Sequence, residues 1–119
     1  MIKKIKLKII KNKKGNLIKF FNFKKIFFKN YGEIYFSEVK RKYFKGWKFH
    51  NNRNQLLTVI SGTIIFSFKK SLKSKPKEIK LSYPKNLYAL FVPKKTYYSF
   101  KCTSKKVGII VNFIDEIVK

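Results

Sequence analysis

The sequence is short of almost every residue type that usually carries site chemistry. It has one cysteine, one histidine, one tryptophan and five carboxylates, and all but two of its 30 basic residues, Arg41 and Arg53, are lysine. Each shortage excludes something. Cys102 has no partner, so no internal disulfide can form and a reducing cytosol is the natural compartment. Metal-dependent centres of the many-histidine kind gather several His and carboxylate ligands around one ion. Here one His joins only Glu33, Glu38, Glu78, Asp115 and Glu116, so no metal and no cofactor is expected. No apolar run approaches the ~18 residues of a membrane span. The start, MIKKIKLKII, has lysines where a signal peptide needs a continuous apolar stretch. The chain is expected to be soluble and cytoplasmic, with no membrane partner.

Hydrophobic residues make up 45% of the 119-residue chain and aromatics 18%, too much for a disordered polycation. The formal charge of +25 points first to nucleic acid. Lysine without arginine argues against it, because base readout and bidentate phosphate gripping use the planar guanidinium. The lysines also run along the whole chain among many Ile, Asn, Phe and Tyr, the imprint of an AT-rich coding sequence. Most of the charge therefore reads as solvated surface that attracts anions of any kind.

Period-two alternation dominates the chain. It begins in Ile2–Ile9 and continues in strand-like runs at Asn16–Phe23, Gly32–Lys40, Gln55–Ile60, Thr63–Phe68, Glu78–Tyr83, Tyr88–Val92, Thr96–Lys101 and Lys106–Phe113. Turn residues separate them, among them Asn30-Tyr31-Gly32, Ser61-Gly62, Tyr83-Pro84-Lys85-Asn86 and Pro93-Lys94-Lys95. Short strands at this spacing predict one all-β domain over residues 1–119, an antiparallel sandwich or barrel. Only the tail, Asp115 to Lys119, suggests a turn or two of helix.

The segment Lys45–Phe68 holds both the tryptophan and the histidine. Ser61-Gly62 reads as a tight hairpin turn, and the polar set Lys48, His50, Arg53 and Gln55 reads as lying on one strand and its approach. Period two sends Lys48 and His50 to the same side. If that side is a barrel interior, a base and a cation share one cavity.

Four stretches in order carry a family resemblance: Tyr35-Phe36-Ser37-Glu38-Val39, Lys45-Gly46-Trp47-Lys48-Phe49-His50, Gln55 to Gly62, and Leu90 to Phe100. Together they resemble the cupin-fold sugar-nucleotide enzymes, namely the dTDP-4-dehydrorhamnose 3,5-epimerases and the WxcM-like dTDP-4-keto-6-deoxyhexose 3,4-ketoisomerases. The likeness covers about Gly32 to Asp115. It implies a cupin or jelly-roll barrel, a homodimer and a dTDP-linked keto-sugar as partner. His50 matches the second histidine of the family's H-x-H block, and Lys48 stands where many members have the first. Gln55 and Gly62 match its glutamine and hairpin glycine, and Val92-Pro93 the start of its later loop. Lys94-Lys95 replace the family's P-G, Tyr98 stands where epimerases have a histidine, and Val111-Asn112-Phe113 lacks their late tyrosine. The short length fits the ketoisomerase branch.

A 4-keto group acidifies the neighbouring C–H bonds, so such an enzyme needs a base, a cation or donor for the enolate oxygen, and an acid. His50 is the candidate base, Lys48 or Arg53 the enolate partner, and Tyr35, Tyr97 or Tyr98 the acid. Alternation points one of Tyr97 and Tyr98 inward and the other outward. Arg53, Lys94 and Lys95 are candidates for the diphosphate, Trp47 or Tyr97 for stacking on thymine, and Gln55, Tyr35 and Asn112 for further substrate contacts. Two alternatives stand beside the isomerase: a non-catalytic cupin that binds a sugar or nucleotide sugar, and a basic nucleic-acid-binding β-barrel.

Overall fold

The computed structural model describes residues 2–20 and 32–116. Within them the alternating pattern folds into eleven strands: β1 (Lys3–Lys6), β2 (Lys8–Ile10), β3 (Leu17–Lys19), β4 (Glu33–Val39), β5 (Phe44–Phe49), β6 (Gln55–Ser61), β7 (Thr63–Lys69), β8 (Lys77–Ser82), β9 (Tyr88–Val92), β10 (Tyr97–Cys102) and β11 (Gly108–Ile114). They form a five-stranded sheet in the order β1-β9-β6-β11-β4, a four-stranded sheet in the order β5-β10-β7-β8, and a β2-β3 ribbon. Every strand pair is antiparallel.

The two large sheets face each other over one core. Val39, Leu57, Val59, Leu90, Val92 and Ile110 from the first meet Ile64, Phe66, Phe68, Leu81, Tyr98, Phe100 and Cys102 from the second. A second cluster lies on the outer face of the five-stranded sheet, where Leu56, Phe91 and Phe113 pack with Leu7 and with Ile18 of β3. β6 is therefore covered on both faces, which explains why Leu56 to Ile60 reads as a nearly continuous apolar run rather than a clean alternation.

Three expectations need correction. The run Ile2–Ile9 is two strands, not one: Leu7, 7% exposed, turns into the outer cluster and separates β1 from β2, which join different sheets. Ser61-Gly62 does not close a hairpin, because β6 and β7 belong to opposite sheets. It is the corner at which the chain crosses between them, with Gly62 at a φ of 75° that favours glycine. Residues 44–49, expected as an approach to a strand, are the edge strand β5, so Lys48, His50, Arg53 and Gln55 spread over a strand, a loop and the next strand. Of the run Asn16–Phe23, residues 17–19 form β3, and residues 21–23 lie outside the described residues. So do residues 30–31 of one expected turn and 117–119 of the tail.

Candidate active site

β5 pairs with β10, with Lys48 opposite Tyr98 and Lys45 opposite Phe100. One residue on β10, Ser99, thus faces two on β5, a bulge at Gly46-Trp47. Gly46 sits at a φ of 144°, where a Cβ would lie 2.5 Å from that of Ser99, so only glycine fits. The bulge sets Lys45 and Lys48 on the face they share with Phe100 and Tyr98, while Trp47 and Phe49 point outward.

His50 follows β5 directly, and its Nε2 lies 2.8 Å from the hydroxyl of Tyr98. Tyr98 is 3% exposed and belongs to the main core. Opposite this pair, the inner face of the five-stranded sheet carries a polar row. Asn112 Nδ2 donates to Gln55 Oε1 at 2.7 Å and to the Tyr35 hydroxyl at 3.0 Å. The Gln55 side chain also reaches Tyr98, where it acts to lower the phenol's pKa. The two sheets are therefore joined by a line of polar groups, His50, Tyr98, Gln55, Asn112 and Tyr35, at the end of the barrel where β5 finishes and β6 starts. Within this line the Asn112 Oδ1 atom is buried without a hydrogen-bond partner.

The electrostatics follow from burial among cations. Desolvation, then the charges of Arg53 and Lys48, push the His50 imidazole down to about 4. The ring is neutral at physiological pH, and the direction of the His50–Tyr98 hydrogen bond follows its tautomer: the phenol donates when Nε2 is the unprotonated nitrogen and Nδ1 carries the proton. Burial first, and then the neighbouring Tyr35, raise the Tyr98 phenol far above its ordinary value, against the opposing effects of Arg53 and the Gln55 hydrogen bond. Burial likewise raises Tyr35, with Arg53 and the Asn112 bond working against it.

The remaining expected site residues divide clearly. Lys48 is exposed at the mouth, its Nζ 5.6 Å from the Phe100 ring centre. Tyr97 faces outward and packs on Phe49 at 4.5 Å, so of the two adjacent tyrosines it is Tyr98 that meets His50. Trp47 also lies outside, with the Lys69 ammonium 4.3 Å from its ring centre, away from the His50 line. Lys95 and Tyr97 share a shallow outer groove with Phe49, Lys70 and Lys73. The side chains of Lys94 and Lys95 are exposed, but their backbone N–H groups donate inward, to Asn54 Oδ1 at 2.9 Å and to the His50 carbonyl at 2.7 Å.

Asn54 and Asp115 were not singled out from the sequence. Asn54 Nδ2 and backbone N–H donate to the two Asp115 carboxylate oxygens at 3.0 and 2.9 Å. Nothing in the local pattern marks them, since the contact joins residues 61 positions apart. Among the described residues no three His, Cys, Asp or Glu side chains gather as a metal site, and no helix is long and apolar enough to cross a membrane.

Two facing antiparallel sheets with a histidine-tyrosine pair at one end of their shared core define a barrel of the cupin class. The chain belongs to the WxcM-like, C-terminal family (FdtA), whose model matches residues 1–114. No protein of curated function matches the sequence. Among solved structures, the dTDP sugar isomerase from Desulfovibrio desulfuricans G20 is similar over 99% of this chain and 78% of its own, at TM-score 0.88 and 27% identity. The sugar 3,4-ketoisomerase QdtA from Thermoanaerobacterium thermosaccharolyticum, solved with TDP, aligns over 99% and 82% at TM-score 0.83 and 18% identity. The WlaRB TDP-quinovose 3,4-ketoisomerase from Campylobacter jejuni aligns over 99% and 87% at 0.81 and 21%.

Proposed function

We propose that this protein is a cytoplasmic sugar-nucleotide isomerase that moves the carbonyl of a dTDP-4-keto-6-deoxyhexose between C4 and C3, for surface glycan synthesis. The observation that carries the reading is the 2.8 Å contact between His50 Nε2 and the Tyr98 hydroxyl at the end of the barrel core. A neutral imidazole there has a lone pair for a proton, and the phenol beside it has a proton to give. When the ketone enters, Tyr98 turns its O–H from Nε2 to the carbonyl oxygen, which frees the base and polarises the acceptor in one step. His50 then removes the C3 proton. The C–H electron pair becomes the C3–C4 double bond, and the charge passes to O4 beside Lys48. O4 takes up the proton that O3 releases, and return of the abstracted proton from His50 to C4, as the O3–C3 bond becomes the carbonyl, leaves the 3-keto sugar.

Family membership and the 3,4-ketoisomerase activity of similar structures support the substrate class. Arg53, with the exposed Lys94 and Lys95, is our choice for the diphosphate. Its two negative charges offset the cations around His50 and bring the base back toward neutral strength. Tyr97, beside Lys95 in the outer groove, suits the thymine better than Trp47, which is covered by Lys69. We read the chain as one domain, supported by a core that draws on both large sheets, and as a homodimer like the enzymes it resembles. A specific observation favours the binding-only alternative: the base nitrogen already has a partner in Tyr98.

Deuterium exchange separates the two readings. In D₂O the wild type is expected to wash deuterium into the ring carbon next to the ketone, seen by proton NMR, and His50→Asn to slow this by about 10²–10⁴. Bound nucleotide sugar with no exchange in the wild type establishes the binding module, and equal exchange in the variant rejects His50 as base.

A further inference from the structure

The loop between β5 and β6 carries His50 and Arg53, yet contains little to hold it. Asn51 and Asn52 are exposed and Arg53 is only partly buried. Its anchors come from elsewhere. At its start the His50 carbonyl accepts the Lys95 N–H at 2.7 Å. At its end Asn54 makes four hydrogen bonds: Oδ1 accepts the Lys94 N–H at 2.9 Å, Nδ2 and the backbone N–H engage both oxygens of Asp115, and its carbonyl accepts the Asp115 N–H at 3.4 Å. A single side chain thereby ties this loop to the β9-β10 turn and to the end of β11.

We infer that Asn54 is the positioning residue of the site, holding the His50–Arg53 loop against the turn and the last strand so that the imidazole stays turned onto Tyr98. The amide is suited to this because it must accept from a backbone N–H on one side while donating to a carboxylate on the other. Neither a carboxylate nor an alkyl side chain does both. The groups facing the ring are Lys48 from β5, Arg53 from the loop and Tyr98 from β10, with Tyr35 of β4 acting through Tyr98. The side chains of Lys94 and Lys95 stay exposed. Cut loose, the ring gains solvent and moves away from both cations, so its affinity for protons rises. The tether stands on geometry alone; its role in turnover rests on the proposed reading of His50 as base.

Because the chain has one histidine, the imidazole resonances in a pH titration report this ring and nothing else. The wild type is expected to titrate near 4. Asn54→Ala is expected to move the midpoint upward by at least about one pH unit toward the free value of ~6.5, and to lower kcat about tenfold or more with a smaller effect on KM. Asn54→Asp alone sets two carboxylates together and is expected to do the same. Asn54→Asp with Asp115→Asn exchanges the partners' polarity, can keep all four bonds, and is expected to restore the wild-type midpoint. Asp115→Ala, at the end of the last strand, carries the same expectation if the Asn54 variants do not fold. A wild-type ring titrating near 6.5, a midpoint unmoved in Asn54→Ala or Asp115→Ala, or a double variant no better than Asn54→Asp alone overturns the inference. Failure of the isomerase reading shows differently, as absent turnover in a wild type whose imidazole still follows this pattern.

Discussion

His50 is in a position that favours the base over its conjugate acid, and this has a consequence for stability. Its folded value of about 4 lies below the ~6.5 of the unfolded chain. Above 6.5 the ring is neutral in both states and contributes nothing to the pH dependence. Between 6.5 and 4 the unfolded chain binds a proton that the native ring refuses, so stability falls as pH falls through this window and levels off below it. The whole displacement converts to about 3 kcal/mol, and solvent screening of a half-buried ring reduces that to about 1–2 kcal/mol. Urea melts of wild type and His50→Asn at pH 7 and pH 4.5 check it: the wild type is expected to lose that much more than the variant. An equal loss in both would place the ring in bulk water in the folded state. The identity of this residue was legible in the sequence because it is the sole histidine, set in a block with a family likeness. Its partner was not. Tyr97 and Tyr98 are chemically the same, and only the register of β10 against β5 and β7 decides which one turns inward.

At the scale of the elements, the strand that delivers His50 depends on one backbone position. Gly46 combines a φ of 144° with space for no Cβ, since an added methyl would meet the Cα and Cβ of Ser99 on the neighbouring strand and not a side-chain tip that can swing away. Gly46→Ala is therefore expected to cost about 2–4 kcal/mol, combining backbone strain with overpacking, and to depress activity beyond what the stability loss explains, because the bulge sets the register of Lys48 and His50. Chemical melts paired with the exchange assay check this; a variant within about 0.5 kcal/mol of wild type, the usual range for a neutral surface change, counts against the bulge. The same bulge explains why β5 was hidden in the sequence. It puts Lys45 and Lys48, three apart, on one face, and this breaks the period of two on which strand recognition relies. Ser61-Gly62 shows a second limit: a glycine corner has the same local chemistry whether the chain turns back on its neighbour or crosses to the other sheet. The strand from Thr63 to Phe68 was plain, because it alternates between a buried face and a more exposed one.

For the molecule as a whole, two features ask for a partner: the charge and an exposed apolar edge. A net +25 attracts any polyanion, but contacts made by dispersed lysines are loose. Binding to single-stranded DNA is expected to be weak, to fall steeply with salt, and to leave dTDP in place; displacement of dTDP in a filter-binding titration at two salt concentrations would instead favour the nucleic-acid barrel. The apolar edge is more specific. β4 borders the five-stranded sheet, and on its outer face Ile34 is 60% and Phe36 65% exposed, with Ile60 of β6 at 41%. Large apolar side chains on an edge strand invite pairing with a second chain, and in a lysine-rich molecule that repels its own copies, only an apolar patch of this kind overcomes the repulsion. A dimer through this edge buries Phe36, so Phe36→Lys puts two cations into an apolar contact between chains that already repel by their net charge. Light scattering is expected to give a dimer for the wild type and a monomer for Phe36→Lys, with the His50 titration unchanged because Phe36 faces away from the core. A variant that remains dimeric moves the interface off β4.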